Sequence, residues 1–462
     1  MPVKFLSRFW TSISKRSRHL ARQAADGDLM ARAIKLADGL LSEHGESAAA
    51  ARADALTKLY RELNGDERHA FHLYLSTNFL PEPVRLKAAA QAYLKRPAPE
   101  TAAELTAAAV PARQDLLRRM NMAPGATGLL VKMREALLKA AEQAPELRPL
   151  EQDLAHLLGS WFNRGFLELG SIDWNSSAAL LEKLIAYEAV HEIHGWDDLR
   201  RRLAPDRRCF AFFHPALRDE PLIFVEVALC QGMADNIAPL LAEPDAVDGA
   251  LQADTAVFYS ISNCQAGLRG IAFGNLLLTQ VVEELAADLP QLKRFVTLSP
   301  IPSFRRWLEK RLTDEDDDLL LESERAALGE PALKNFADAI AANDWRNKEP
   351  SPRSLKPILQ RLCTQYLTDA NDGRGPKDPV ARFHLRNGAR LERLNWCANT
   401  SDRGLAQAYG LMANYLYDPA TIDANCQKFA TSGEVTHSAG VAELAGESSK
   451  QAHKRALVRA AE

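Results

Sequence analysis

The strongest constraint on this chain is a change of hydrophobic period near Gly195. From about residue 28 to residue 190, apolar side chains recur three and four positions apart, as in LMARAIKLADGLLSEHG and ARADALTKLYRELNG. That spacing lines one face of a helix. PEPVRLKAAAQAYLKRP begins and ends at proline, and TAAELTAAAVPARQDLLRRMNMAPGATGLLVKMREALLKAAEQ reads as two helices split at Pro124-Gly125. LRPLEQDLAHLLGSWFNRGFLELGSIDW and SAALLEKLIAYEAVHEI continue the series. Alanine is abundant and β-branched residues are sparse, which favours helix. An antiparallel helical bundle is predicted, without the fixed period of a solenoid. Beyond Gly195, short runs rich in β-branched and aromatic residues take over: RRCFAFFHP (207–215), PLIFVEVALC (221–230), TAVFYSIS (255–262), RFVTLS (294–299) and ARLERLNWCA (389–398). ALRDE joins the first two as a hairpin connection. The fold class predicted is α+β: an all-helical domain over 1–192, then a mixed sheet with covering helices over 193–462.

Several function classes are disfavoured by composition. A formal net charge of −3 gives no global field for nucleic acid or an anionic membrane. No run of about 18 apolar residues exists, so no transmembrane helix is expected. The six cysteines are scattered, with no C-x-x-C and no histidine at metal spacing, as expected of reduced thiols without a zinc site. His191 and His194, three apart, lack a third ligand and are expected at the surface, so no metal site is predicted. The first 25 residues carry several Arg, Lys and Ser and no acid before Asp26. That suits a frayed basic arm of a cytoplasmic protein, or a transit peptide to the mitochondrial matrix.

The segment QAGLRGIAFGN (265–275) stands where the strand TAVFYSIS gives way to the amphipathic LLLTQVVEELAADL. A strand that enters a helix through glycines exposes main-chain N–H groups, and with the helix dipole these attract an anion. Arg269 adds a cation, and Gly270 and Gly274 let the backbone approach a phosphate. A P-loop would need Gly-Lys-Ser/Thr at the helix start, which Gly274-Asn275 does not supply. The spacing of Gly267, Gly270 and Gly274 does not match a dinucleotide fingerprint. Arg269 to Gly274, Arg-x-x-Ala-x-Gly, is similar to the pyrophosphate loop of GNAT acetyltransferases, with Ala272 where that family usually has its first glycine.

Neighbouring blocks extend the resemblance. CFAFFHPALRDEPLIFVEVAL, the glycine segment, TLSPIPSFRRWL, PVARFHLRNGARLERLNW and GLMANYLYD follow in this order over residues 195–418. Together they closely resemble the malonyl-CoA decarboxylase family; the helical half resembles it more loosely. The resemblance implies a GNAT-like catalytic domain behind a helical oligomerisation domain, conversion of malonyl-CoA to acetyl-CoA and CO2 without an added cofactor, and a homotetramer. It puts the coenzyme A loop on Arg269, Gly270, Ile271, Ala272, Phe273, Gly274 and Asn275, the catalytic serine on Ser299 and the catalytic histidine on His384. By themselves, Ser299 before Pro-Ile-Pro would read as a turn residue and His384 as a core histidine. In the implied chemistry His384 protonates the enolate carbon, while Ser299 either orients the carboxylate or relays a proton. Asn263 and Gln265 are candidate amide donors to the thioester or pantetheine, and Tyr415 is a packing residue or a second donor. His214 reads as structural, and Glu226, alternating with Val225 and Val227, as solvated or paired. Two other functions remain open: a GNAT-type acyltransferase with an amine acceptor, and a non-catalytic coenzyme A-binding scaffold. Ser299 lacks a Gly-x-Ser-x-Gly elbow, so hydrolysis is the weaker reading.

Overall fold

The computed structural model describes residues 28–446 apart from 44, 218, 243–251, 272–276, 315–317, 342–350 and 369–374. The chain divides into two compact units: Met1–Glu168 with Phe213–Leu222 and Gln265–Phe273, and Leu169–Phe212 with Ile223–Cys264 and Gly274–Glu462.

In the first unit, helices span Leu29–Ser42, Glu46–Glu62, Gly65–Asn78, Pro83–Lys95, Pro99–Ala109, Ala112–Met120, Ala126–Ala140 and Arg148–Trp161. Local sequence sets their ends. Asp28 accepts the N–H of Ala31 at 2.6 Å, and Asn64 and Glu67 cap each other's backbone reciprocally. Pro83 and Pro99 sit in first turns, where a missing N–H costs little. One expectation is corrected: Pro111, as well as Pro124-Gly125, breaks the stretch from 99 to 140, which forms three helices rather than two. Proline steers its predecessor out of the helical region, and Val110 is extended at φ −70°, ψ 121°. Leu36, Leu56, Phe71, Leu75, Leu116, Leu130 and Leu154 share one core in which none is more than 2% exposed. Each such side chain contributes about 1.5–3 kcal/mol by burial.

Among the described residues the second unit is built on a mixed sheet of eight strands: β1 Glu168–Ile172, β2 Arg207–Phe213, β3 Ile223–Cys230, β4 Thr255–Asn263, β5 Arg294–Thr297, β6 Ser299–Pro300, β7 Arg390–Asn395 and β8 Met412–Leu416. Their order is β1-β2-β3-β4-β5-β8-β6, with β7 also on β8. β1 is a second correction, since its sequence lay in a stretch read as helical. Pairing with β2 outweighs a weak local preference. β2, β3 and β4 are antiparallel, whereas β4 and β5 run parallel, Thr255 opposite Arg294. A parallel pair requires a crossover, and the helix Leu277–Asp288 supplies it.

Beneath the sheet Glu226 is fully buried and paired, not solvated: Arg202 Nη1 donates to it at 2.9 Å. The Glu188 carboxylate accepts from the hydroxyls of Ser260 and Ser262. His191, expected at the surface, is buried beside this network, its N–H donating to Glu188 and its carbonyl accepting from Arg202. The polar groups around it take up its backbone, whereas His194 is exposed, as expected.

Candidate active site

Ser299 opens β6, whose first residue pairs with Ala413 of β8. Thr297, two residues earlier, lies on the same side of the chain, and Ser299 Oγ donates to Thr297 Oγ1 at 2.9 Å. β8 holds Thr297 in place: Tyr415 N–H donates to its Oγ1 at 3.1 Å and Asn414 Nδ2 to its carbonyl at 2.6 Å. His384 comes from the helix Pro379–Arg386, which starts cleanly because Asp378 accepts the N–H groups of Val380 and Ala381. Its Nε2 lies 3.0 Å from Ser299 Oγ and its Nδ1 2.8 Å from Tyr417 Oη. Residues 415 and 417 alternate with 416, so both tyrosines face the imidazole. Tyr415 stacks on it at 4.6 Å and Tyr417 meets it edge-on at 6.1 Å.

Burial sets the protonation of this chain of groups. Ser299 is 5% exposed, His384 2% and Tyr417 0%. Desolvation pushes His384 down to about 3, so the ring is neutral near pH 7, and the same effect keeps the Tyr417 phenol protonated. A buried phenol must place its proton on an acceptor, and among the described residues Tyr417 Oη meets His384 Nδ1 alone. Nδ1 is then the acceptor and Nε2 carries the hydrogen. The donors run in one direction: Tyr417 O–H to Nδ1, Nε2–H to Ser299 Oγ, Ser299 O–H to Thr297 Oγ1.

The glycine segment has its own geometry. The N–H groups of Leu268 and Arg269 close a short 3-10 turn on Gln265 and Ala266, and Ile271 N–H returns to Leu268 O at 3.0 Å. Arg269 at φ −55°, ψ 128° and Gly270 at φ +80° are the two central residues of a type II turn, whose third position favours glycine. Arg269 and Gly270 are exposed and Ile271 half-buried. Ala272, Phe273, Gly274 and Asn275 lie outside the described residues. The Gln265 amide donates to Pro221 O at 3.3 Å, and Asn263 is exposed at the end of β4.

The profile of the malonyl-CoA decarboxylase C-terminal domain matches residues 165–455, and that of the N-terminal domain residues 79–162. The chain is 46% identical to the malonyl-CoA decarboxylase of Rhodopseudomonas palustris, whose crystal structure superposes with a TM-score of 0.82 over 90% of this chain and 99% of that one. The Agrobacterium vitis enzyme gives the same identity and score over 89% and 99%. The mitochondrial malonyl-CoA decarboxylases of Anser anser anser and Mus musculus are 36% and 35% identical over 66% and 67% of this chain. These alignments span 64% and 66% of those relatives' own length. The chain belongs to the malonyl-CoA decarboxylase family.

Within this decarboxylase-family chain, two residues at the candidate site were missed from sequence. Thr297 was legible as the residue two before Ser299 in TLSPIP, and Tyr417 as the second tyrosine of ANYLYD. Tyr415 of the same motif stacks on the imidazole, and the hydroxyl that reaches His384 comes from Tyr417. His214 is fully committed to backbone: Nε2 donates to Trp161 O and Nδ1 accepts from Ala216 N–H, which makes it a packing residue. Among the described residues no group of three or more His, Cys, Asp or Glu is placed to hold a metal ion, and no helix is long and apolar enough to cross a membrane.

Proposed function

We propose that this chain converts malonyl-CoA to acetyl-CoA and CO2, using Ser299 and His384 at the acyl end and the glycine segment at the nucleotide end. Cleavage of the bond between the α-carbon and the carboxylate sends its electron pair into the thioester, and CO2 leaves. An enolate remains, which must be stabilised and then protonated at carbon. A neutral donor suffices, because the α-carbon of a thioester enolate is a stronger base than the alkoxide that a serine hydroxyl leaves behind. Ser299 O–H supplies the proton, Nε2–H of His384 replaces it, and Nδ1 takes the Tyr417 proton in turn, so the serine is the carrier and the imidazole stays neutral. Water returns the proton after CO2 departs. Positioning matters as much as acidity here, since the leaving carboxylate must stand perpendicular to the carbonyl plane. No added cofactor enters these steps.

The observation that carries this reading is the buried contact of 3.0 Å between Ser299 Oγ and a neutral His384. The decisive experiment is CO2 release from malonyl-CoA alone by the purified chain. Turnover without an acceptor is expected, and a requirement for an amine would replace this reading with acyl transfer. His384→Ala is expected to lower kcat by about 10²–10⁴ in a folded protein. Unchanged kcat would remove His384 from the mechanism.

The homotetramer is proposed with it, built on the helical half. Support comes from Val84 and Leu94, 76% and 79% exposed on the helix Pro83–Lys95, with Leu80 and Val110 exposed nearby in sequence. Light scattering is expected to give about four times the 51.0 kDa chain mass. A single-chain mass would end the proposal.

A further inference from the structure

The glycine segment is held from beneath by the helical unit, and one buried arginine does the holding. Arg134, 4% exposed on the helix Ala126–Ala140, donates from Nη1 to Gly267 O at 2.7 Å and to Arg269 O at 2.9 Å. The other edge of its guanidinium is taken by Glu151 from the helix Arg148–Trp161, at 2.9 Å from Nε and 2.8 Å from Nη2. Val131, one turn earlier on the same face, lies so close that a Cβ on Gly267 would come within 1.9 Å of its carbonyl oxygen.

The Arg269 carbonyl is the one that matters. It belongs to the central peptide of the type II turn, and types I and II differ by the flip of that peptide. Arg134 therefore selects the flip. In a planar trans peptide the N–H lies opposite the carbonyl, so Gly270 N–H points away from Arg134. Among the described residues that N–H donates to no backbone carbonyl, and Gly270 is exposed.

We infer that Arg134, oriented by Glu151, is a positioning residue for the diphosphate of the substrate: it fixes the turn so that Gly270 N–H and the Arg269 side chain are presented to the anion. This rests on the reading of the segment as the coenzyme A phosphate loop. A lysine could not serve both carbonyls and Glu151 at once, because it lacks the planar fork. The helical unit then sets substrate affinity as well as any assembly.

The test compares wild type, Arg134→Ala, Arg134→Lys and Arg269→Ala, titrated with coenzyme A and assayed with malonyl-CoA and with malonyl-pantetheine, which lacks the diphosphate. Arg134→Ala is expected to raise Kd for coenzyme A and KM for malonyl-CoA about tenfold, the loss of charge-assisted hydrogen bonds, with kcat within about threefold. Its kcat/KM for malonyl-pantetheine is expected to stay at the wild-type value. An equal fall with both substrates would show general damage and overturn the inference. Should Arg134→Ala fail to fold, Arg134→Lys carries the test with a smaller effect of the same pattern. If Arg269→Ala weakens coenzyme A binding and neither Arg134 variant does, the inference falls and the loop reading stands. If no variant changes binding, the loop reading falls and takes the inference with it.

Discussion

At the scale of single residues, the proposed chemistry turns on where one proton sits. A histidine between a serine and a tyrosine has two tautomers, and Tyr417 decides between them by giving its hydrogen to Nδ1 at 2.8 Å. Tyr417→Phe removes that donor and keeps the ring that meets Phe258 edge-on at 6.2 Å. A buried hydrogen bond of this kind is worth about 1–3 kcal/mol, so kcat is expected to fall roughly 5- to 150-fold while KM holds. The check is steady-state kinetics together with the nitrogen chemical shifts of His384. A kcat within twofold of wild type, with an unaltered tautomer, would remove Tyr417 from the mechanism. Sequence reading reached Ser299 and His384 only through family resemblance. Hydroxyls and imidazoles acquire roles from what stands opposite them, and residues 297, 299, 384 and 417 are brought together only when the sheet and the helix Pro379–Arg386 pack.

At the scale of elements, the glycines of the 265–275 segment have different physical reasons. Gly270 needs its left-handed φ of +80°, with open space around it. Gly267 needs the absence of a side chain, because the backbone of Val131 occupies that space. Gly270→Ala is expected to cost about 1–2 kcal/mol of stability through backbone strain. Gly267→Ala is expected to cost up to about 3 kcal/mol, since the clash is with backbone and the loop or the helix must move. Urea denaturation of the two variants checks the order, and equal losses would contradict it. In the sequence the glycines read together as an anion-binding feature. Their separation depended on what packs underneath, which no local pattern encodes.

For the whole molecule, buried histidines make stability depend on pH. Burial pushes His72 and His191 down to about 4 and His384 to about 3, from an ordinary value of 6.5. The folded chain therefore binds fewer protons than the unfolded chain below pH 6.5. The stability each neutral ring represents is fully present above pH 6.5 and is lost as pH falls toward its folded value. Each contributes a slope of about 1.4 kcal/mol per pH unit in that window. His72→Asn is expected to remove one such increment from the slope of unfolding free energy between pH 6 and 5. Denaturation series at several pH values measure it, and an unchanged slope would show that His72 titrates normally in the fold.

Much was settled by sequence alone, because period and punctuation are local. A 3.6-residue repeat over the first half and alternating apolar runs in the second dictated helices followed by a sheet, and the prolines and glycines marked most of their ends. The strand β1 and the extra break at Pro111 escaped because pairing and steric exclusion outweighed modest propensities. Only the tertiary structure decided that His191 and Glu226 are buried, that Tyr417 and Thr297 complete the Ser299–His384 pair, and that Arg134 holds the glycine turn from a helix more than a hundred residues away in sequence. Hydrogen-bond partners, dielectric and close packing are properties of neighbours in space, and those neighbours exist only once the chain has folded.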